Sequence, residues 1–272
     1  MKLTPRPTDD PQLGDLAEQY QVTTRNLGFT KRYSKAHEVH YSPWVQDLVT
    51  SAPFHLEDAP RAALPPPDLD LLRAPLGTVI GNRRSGRVYG DTPVPADCLS
   101  TLLYAANGVR PPRRGAPPLS RNVTNAGNLG SVELYPIVMS VEGVSPGIYH
   151  YDSVGHDLGL VRDGRFGTWL REVVFYQVEF GDALVAVALS SAVGRLKAKY
   201  GPRGYRFAMF DVGHVSENIY LAATALGMPV CATAGFVDEE LNRALALDGL
   251  DTCVSLVLLL GAPVSEPGLA VP

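Results

Sequence analysis

The chain has 272 residues, 45% hydrophobic and 19% charged, with 24 Lys+Arg against 28 Asp+Glu and a net charge of −4. That balance excludes a disordered or fibrous chain, and it argues against a general nucleic-acid binder, which carries a basic excess. At roughly 150 residues per domain, the length fits two domains or one large one.

Residues 1–12 are polar and lack the apolar run of a secretory signal. Residues 14–50 mix aromatics, His and charge, including Tyr20, His37, His40 and Trp44. Residues 52–75 carry Pro53, Pro60, Pro65, Pro66, Pro67 and Pro75. Each proline ring fixes φ and removes a donor, so this stretch reads as a semi-rigid connector. The expected organisation is an arm and connector over 1–75, a main domain over 76–261 and a tail over 262–272.

Within the main domain, Leu99, Leu102, Leu103 and Ala106 share one face of a helix expected over 95–107, closed by Asn107-Gly108. Strands are expected at 132–141, at Gly147–Tyr151 and at 183–190, the last apolar enough to be buried on both faces. Asp163-Gly164 marks a turn. A helix is expected over 211–227, with Asp211 as its N-cap and Gly227 as its stop. A strand at 230–234, a helix at 238–247 and a strand at 253–260 follow. Helices interleaved with strands joined partly by hairpins define an α+β class. The longest apolar stretch, residues 253–264, is shorter than the ~20 residues that span a bilayer, so no membrane partner is expected. Cys98, Cys231 and Cys253 form no C-x-x-C and read as reduced thiols of a cytoplasmic protein.

Gly143-Val-Ser145-Pro-Gly147 fits the G-x-S-x-G pattern. That chemistry needs a strand–Ser–helix elbow and an N–H after the serine, and Pro146 has none. No G-x-G-x-x-G or P-loop occurs, no His pair forms H-E-x-x-H, and His37 and His40 alone are a weak metal signal, so no metal site is expected. Four segments carry more. Arg83-Arg84-Ser85-Gly86-Arg87 places three guanidiniums within five residues, suited to a phosphate or to a solvated basic turn. Asn122–Tyr135 crowds small and amide residues into a loop that runs into a strand. Arg195–Arg206 contains Lys199-Tyr200, a pair able to move protons if a pKa is lowered, or else an exposed helix end. His214 and Asn218 stand i, i+4 on the apolar 211–227 helix, as part of a site or of a buried network.

Taken together, these segments resemble the nitroreductase-like flavoenzymes, and most closely the branch of SagB-type (thiazoline/oxazoline) dehydrogenases. The resemblance lies in the order of an RRSxR-type run (Arg83–Arg87), a small-residue loop leading into ELY (Asn125–Tyr135), a GLYHYD-type strand (Gly147–Asp152), an RxxxKYxxRxYR-type run (Arg195–Arg206) and DxGHxxxNxxLAAxALG (Asp211–Gly227). It covers roughly 76–261, and 15–50 resembles the family's variable arm with its Ser34-Lys35 pair.

The resemblance implies a nitroreductase-like FMN-binding fold with a mixed central sheet flanked by helices, and an intertwined homodimer with its sites at the subunit interface. It implies oxidation of azoline rings to azoles in a ribosomally made peptide, with a heterocyclase complex as a further partner. By position, Arg83, Arg84, Ser85 and Arg87 would hold the FMN phosphate and ribityl. Asn125, Gly127 and Asn128 would lie near the isoalloxazine, and His214 and Asn218 would complete the cofactor-binding set. Lys199 and Tyr200 match the catalytic pair. Two departures stand out. Thr124-Asn125 replaces the usual serine of the loop. No Lys or Arg follows Gly261, so Arg206 or Arg243 would have to supply a phosphate-binding cation. The same core would also suit an FMN-dependent NAD(P)H reductase or oxidase acting on nitro, alkene or dehydroamino-acid substrates, or a non-catalytic subunit of a peptide-modifying complex.

Overall fold

The structure of the protein, a computed structural model, describes residues 14–24, 42–50, 56, 58–114, 119–174 and 182–263. Ser34, Lys35, His37 and His40 lie outside the described residues. Two helices, α1 (Gly14–Thr23) and α2 (Pro43–Thr50), belong to the arm. The strands are β1 (Arg61–Ala63), β2 (Val132–Val138), β3 (Gly147–Asp152), β4 (Asp157–Asp163), β5 (Val185–Ser191), β6 (Val230–Thr233) and β7 (Cys253–Leu260). Between them run α3 (Leu76–Asn82), α4 (Ala96–Asn107), α5 (Gly167–Val173), α6 (Val193–Tyr200), α7 (Gly204–Ala225) and α8 (Asp238–Ala244).

The strands form one sheet in the order β1-β4-β3-β2-β5-β7-β6. A mixed sheet was expected. Every strand pairing is antiparallel instead, and the one parallel contact among the described residues is the isolated bridge Val94–Val141. Strand alternation divides the core in two. Leu134, Val138, Val185, Val187 and Leu189 face one cluster with Leu99, Leu102 and Leu103 of α4 and Val215 and Ile219 of α7. Tyr135, Ile137, Ala186 and Ala188 face the other, with Leu170 of α5 and Leu241 of α8. The period of two along each strand thus yields a helix–sheet–helix sandwich. Each fully buried leucine contributes roughly 2 kcal/mol.

Three differences from the expected elements have physical causes. Strand β4 was not anticipated; it pairs β3 on one side and β1 on the other, so residues 61–63 add an edge strand from within the proline-rich stretch. The long helix starts at Gly204, not at Asp211. The Gly201-Pro202-Arg203-Gly204 run signals a break, and it does end α6, with Gly201 at φ +60°. But Gly204 then lets α7 begin against α6, where a β-carbon would come within 2.6 Å of the Leu196 carbonyl carbon. Asp211 is therefore two turns inside the helix and buried. Finally, β2 is central yet holds Pro136. The β2–β3 register stops at Ile137–Ile148, next to the residue that has no N–H to offer a ladder.

Candidate functional site

The site is built around the loop that joins Arg121 to β2. Gly127, Asn128 and Gly130 all have positive φ, at 64°, 56° and 58°. This tight path is held by side chains from α6 and α7. The Ala126 N–H donates to both carboxylate oxygens of Asp211 at 3.0 and 3.1 Å, and the Ser131 hydroxyl donates to the same group. Arg195 Nε donates to the Leu129 carbonyl at 2.7 Å. Within the loop, Asn125 Oδ1 accepts from the Gly130 N–H at 2.9 Å. Burial pushes the Asp211 pKa up, while the Ser131 and Ala126 donors and the His214 charge oppose the shift.

Lys199 and Tyr200 close α6 and converge on Gly127. A β-carbon there would lie 2.6 Å from Lys199 Nζ and closer still to Tyr200 Oη. Only glycine allows this approach at this φ. Lys199 is 8% exposed, and burial lowers its pKa from the usual lysine value. Burial, followed by the Asp211 charge, raises that of Tyr200. The Tyr200 ring meets Phe207 edge-on at 4.8 Å between centroids. Asn125, Gly127, Asn128, Lys199 and Tyr200 thus belong to one neighbourhood.

The arginine run lies elsewhere. Gly86 N–H donates to the Val230 carbonyl at 2.9 Å, and a β-carbon at Gly86 would meet Pro229 at 3.0 Å. The Arg83 guanidinium sits 5.5 Å from the Tyr220 ring centroid, and Ser85 Oγ is 3.3 Å from Tyr220 Oη. Arg84 is exposed, with Nη1 donating to the Gly81 and Arg83 carbonyls; Arg87 Nη1 donates to the Ser85 carbonyl. Tyr220 and Asp211 are nine residues apart on α7, about half a turn around it and about 13 Å along it. Within one chain, then, the arginine run and the Gly127 loop attach to opposite sides of the same helix.

The remaining expected residues fall as follows. His214 is exposed one turn beyond Asp211. Asn218 Nδ2 donates to the Ala105 carbonyl at 3.2 Å, joining α7 to α4. Arg206 is turned toward the arm: it donates to Thr24 Oγ1 and to Gln21, and stacks over Tyr20. Arg243 pairs with Glu240. Neither arginine is directed at the Arg83–Arg87 run. Among the described residues no three His, Cys, Asp or Glu come together as metal ligands.

The structure adds residues that the sequence reading missed. Asp211, Ser131 and Arg195 position the loop. Behind it lies a buried ionic group in which Glu133 Oε2 is 2.7 Å from His150 Nε2 and Glu133 Oε1 is 3.6 Å from Arg121 Nη2. The available signal was an ionisable residue inside an apolar element: Glu133 and His150 in strands, Asp211 in a helix. Buried charges are rarely left unpaired.

Comparison with known proteins gives the same neighbourhood a family context. Residues 80–261 match the model of the nitroreductase family. The chain is 32% identical over 181 residues to a Methanocaldococcus jannaschii protein assigned to the nitroreductases, covering 66% of this chain and 88% of that one. It is 25% identical over 142 residues to the trifolitoxin-processing protein TfxB of Rhizobium leguminosarum bv. trifolii, covering 48% of this chain and only 36% of that one. A crystal structure from Anabaena variabilis, also assigned to the nitroreductases, superposes with a TM-score of 0.64 at 26% identity, covering 76% of this chain and 42% of that one. A chain of the Escherichia coli microcin synthetase McbBCD complex, with truncated pro-MccB17 bound, superposes with a TM-score of 0.60 at 18% identity, covering 94% and 95%. Among the described residues no helix is long and apolar enough to cross a membrane.

Proposed function

Since the chain belongs to the nitroreductase family, and so to a family of oxidoreductases, we propose that it is an FMN-dependent dehydrogenase that oxidises azoline rings to azoles in a ribosomally made peptide. The observation that carries this reading is Lys199, buried and lowered in pKa, against Gly127 and beside Tyr200. A lysine held ready to accept a proton suits a reaction in which a ring loses one. Likeness to a trifolitoxin-processing protein and to a microcin synthetase chain supports a peptide substrate and a multi-subunit complex.

The residues present fit FMN. Arg83, Arg84 and Arg87 offer forked, charge-assisted donors for the phosphate, and Ser85 a hydroxyl for the phosphate or ribityl. Asn125, Gly127 and Asn128 offer backbone and amide groups, and the absence of a side chain at Gly127 lets Lys199 and Tyr200 come up against them. When bound, FMN supplies the two-electron acceptor that a dehydrogenation needs. The chain's own part is positioning and proton transfer. Lys199 Nζ takes the proton that leaves the ring, and the Tyr200 hydroxyl, whose pKa is raised, stays protonated to orient the substrate. Asp211 and Arg195 hold the loop still. His214, exposed beyond Asp211, and Asn218 would contribute from α7.

Because the arginine run and the Gly127 loop sit on opposite sides of α7, one FMN is held best between two copies of the chain. Leu76, Ile80, Val88 and Phe210 are apolar and between 59% and 83% exposed, which leaves apolar surface for a second copy to cover. The proposal is therefore a homodimer with composite sites.

The deciding experiment combines a visible spectrum with mass spectrometry. The purified protein should show flavin bands, and a peptide carrying azolines should lose two hydrogens per ring. A yellow protein that leaves such peptides unchanged would overturn the reading. The match to the M. jannaschii relative favours one second reading, an NAD(P)H-dependent reductase. Rapid anaerobic bleaching of the flavin by NADPH would select it.

A further inference from the structure

Residues 98–132 contain four arginines, Arg110, Arg113, Arg114 and Arg121, and no Asp, Glu or Lys, in a chain of net charge −4. The arginines stand on an excursion whose ends are fastened together. Val109 and Arg121 form an antiparallel bridge. Arg110 N–H donates to the Ser120 carbonyl at 2.7 Å, and Asn122 N–H to the Gly108 carbonyl at 2.9 Å. Arg121 is the buried root, 4% exposed, with Nη1 on the Asn107 carbonyl and the Ser153 hydroxyl. Arg110, Arg113 and Arg114 are exposed. Elsewhere on the surface Arg61, Arg73, Arg171 and Arg243 each have a carboxylate partner. Among the described residues, none of the ion pairs involves Arg110, Arg113 or Arg114.

Between this basic rim and the catalytic loop is a polar hollow of about 360 Å³, lined by Arg110, Ser120, Asn122, Thr124, Asn125 and Asn128. The hollow ends at the loop on which Lys199 and Tyr200 converge. We propose that the rim docks an acidic segment of the peptide substrate, whose carboxylates engage Arg110, Arg113 and Arg114 while the adjoining residues enter the hollow. This inference rests on the peptide reading of the function given above.

The spacing favours an extended acidic chain over a nucleotide. Arg110 lines the hollow, whereas Arg113 and Arg114 are not among its lining residues, and Pro111-Pro112 keeps the backbone between Arg110 and Arg113 stiff and poor in donors. A peptide offers carboxylates at intervals along its length. A dinucleotide's phosphates call for donors gathered on one point. Each exposed ion pair is weak, so the rim acts by summing several and by steering encounter, and it should be sensitive to salt.

The test is direct binding, measured by fluorescence anisotropy on the full-length FMN-loaded protein. The probes are a fluorescein-labelled Gly-Glu-Ser repeat peptide and its Gly-Gln-Ser counterpart. The acidic peptide should bind on the order of tenfold more tightly, and the gap should close at high salt. The double variant Arg113→Glu with Arg114→Glu should lose the preference with its flavin spectrum unchanged, and Arg113→Lys with Arg114→Lys should keep most of it. Equal binding of the two peptides, or a preference untouched by charge reversal, would overturn the proposal. So would NADPH or an oligonucleotide that binds more tightly than the acidic peptide and is lost in the same variant. Anisotropy reports binding without turnover. Failure of the azoline assay alone therefore counts against the proposed reaction, and failure of the charge preference alone counts against the rim.

Discussion

Gly127 is where local conformation and chemistry meet. Its φ of 64° and the approach of Lys199 and Tyr200 both require the absence of a β-carbon. In Gly127→Ala the left-handed conformation alone costs about 1–2 kcal/mol, and the methyl group must push Lys199 aside. Urea unfolding should show that loss, and displacement of the proposed proton acceptor should slow turnover on the order of a hundredfold. Full turnover would detach Lys199 from the loop's function. Lys199 itself accepts a proton only when neutral. Burial holds its pKa below the ordinary 10.5, so the rate of azole formation should rise with pH along a limb below that value and then level off. Lys199→Ala should stay yellow and lose azole formation. A limb that persists in its residual turnover would belong to another group.

At the scale of elements, α7 does more than fill the core. Its apolar positions were legible in the sequence because Val212, Val215, Ile219 and Ala223 recur at helical spacing, and all are buried. Its start was not legible, because Gly201-Pro202-Arg203-Gly204 carries every local sign of a break. Only packing of Gly204 on Leu196 turns that break into a tight joint between two helices. The shift changes Asp211 from a cap at the surface into a buried carboxylate that holds the loop. Its folded pKa is raised above 3.8. Below that value both folded and unfolded chains keep the proton. As pH rises through the folded value the buried group must ionise, and stability is lost. Asp211→Asn does not titrate. The unfolding free energy of wild type minus variant, from urea melts, should therefore fall as pH rises from about 4 to about 7. A difference independent of pH would mean that Ala126 and Ser131 fully offset the burial.

At the scale of the whole molecule, the two halves of the candidate cofactor site are joined to opposite sides of α7. This makes a prediction that a single chain could not satisfy. Arg84→Ala should weaken FMN binding and Lys199→Ala should stop the chemistry. If each site takes Arg84 from one copy and Lys199 from the other, dissociating and remixing the two variants at an FMN concentration too low to load Arg84→Ala should restore activity. The mixed dimer then contains one site with neither substitution. Mixed samples that stay inactive, with exchange verified by mass, would place both residues in one chain's site.

Local pattern alone marks α4, α7, α8 and the strands β2, β3, β5, β6 and β7, together with the ordered motifs that resemble the flavoenzyme family. These depend on periodicity and local residue types, which a chain carries whatever its tertiary contacts. The tertiary structure decided the rest. It ran the sheet antiparallel throughout, placed β4 between β1 and β3, moved the start of α7 to Gly204 and turned Arg206 toward the arm. It also buried Arg121, Glu133 and His150 together behind the loop. Apart from the joint of Gly204 on Leu196, these depend on which distant residues come to lie side by side. No window of sequence contains both partners of such a contact, so the pairing of buried charges is visible only once the chain has folded.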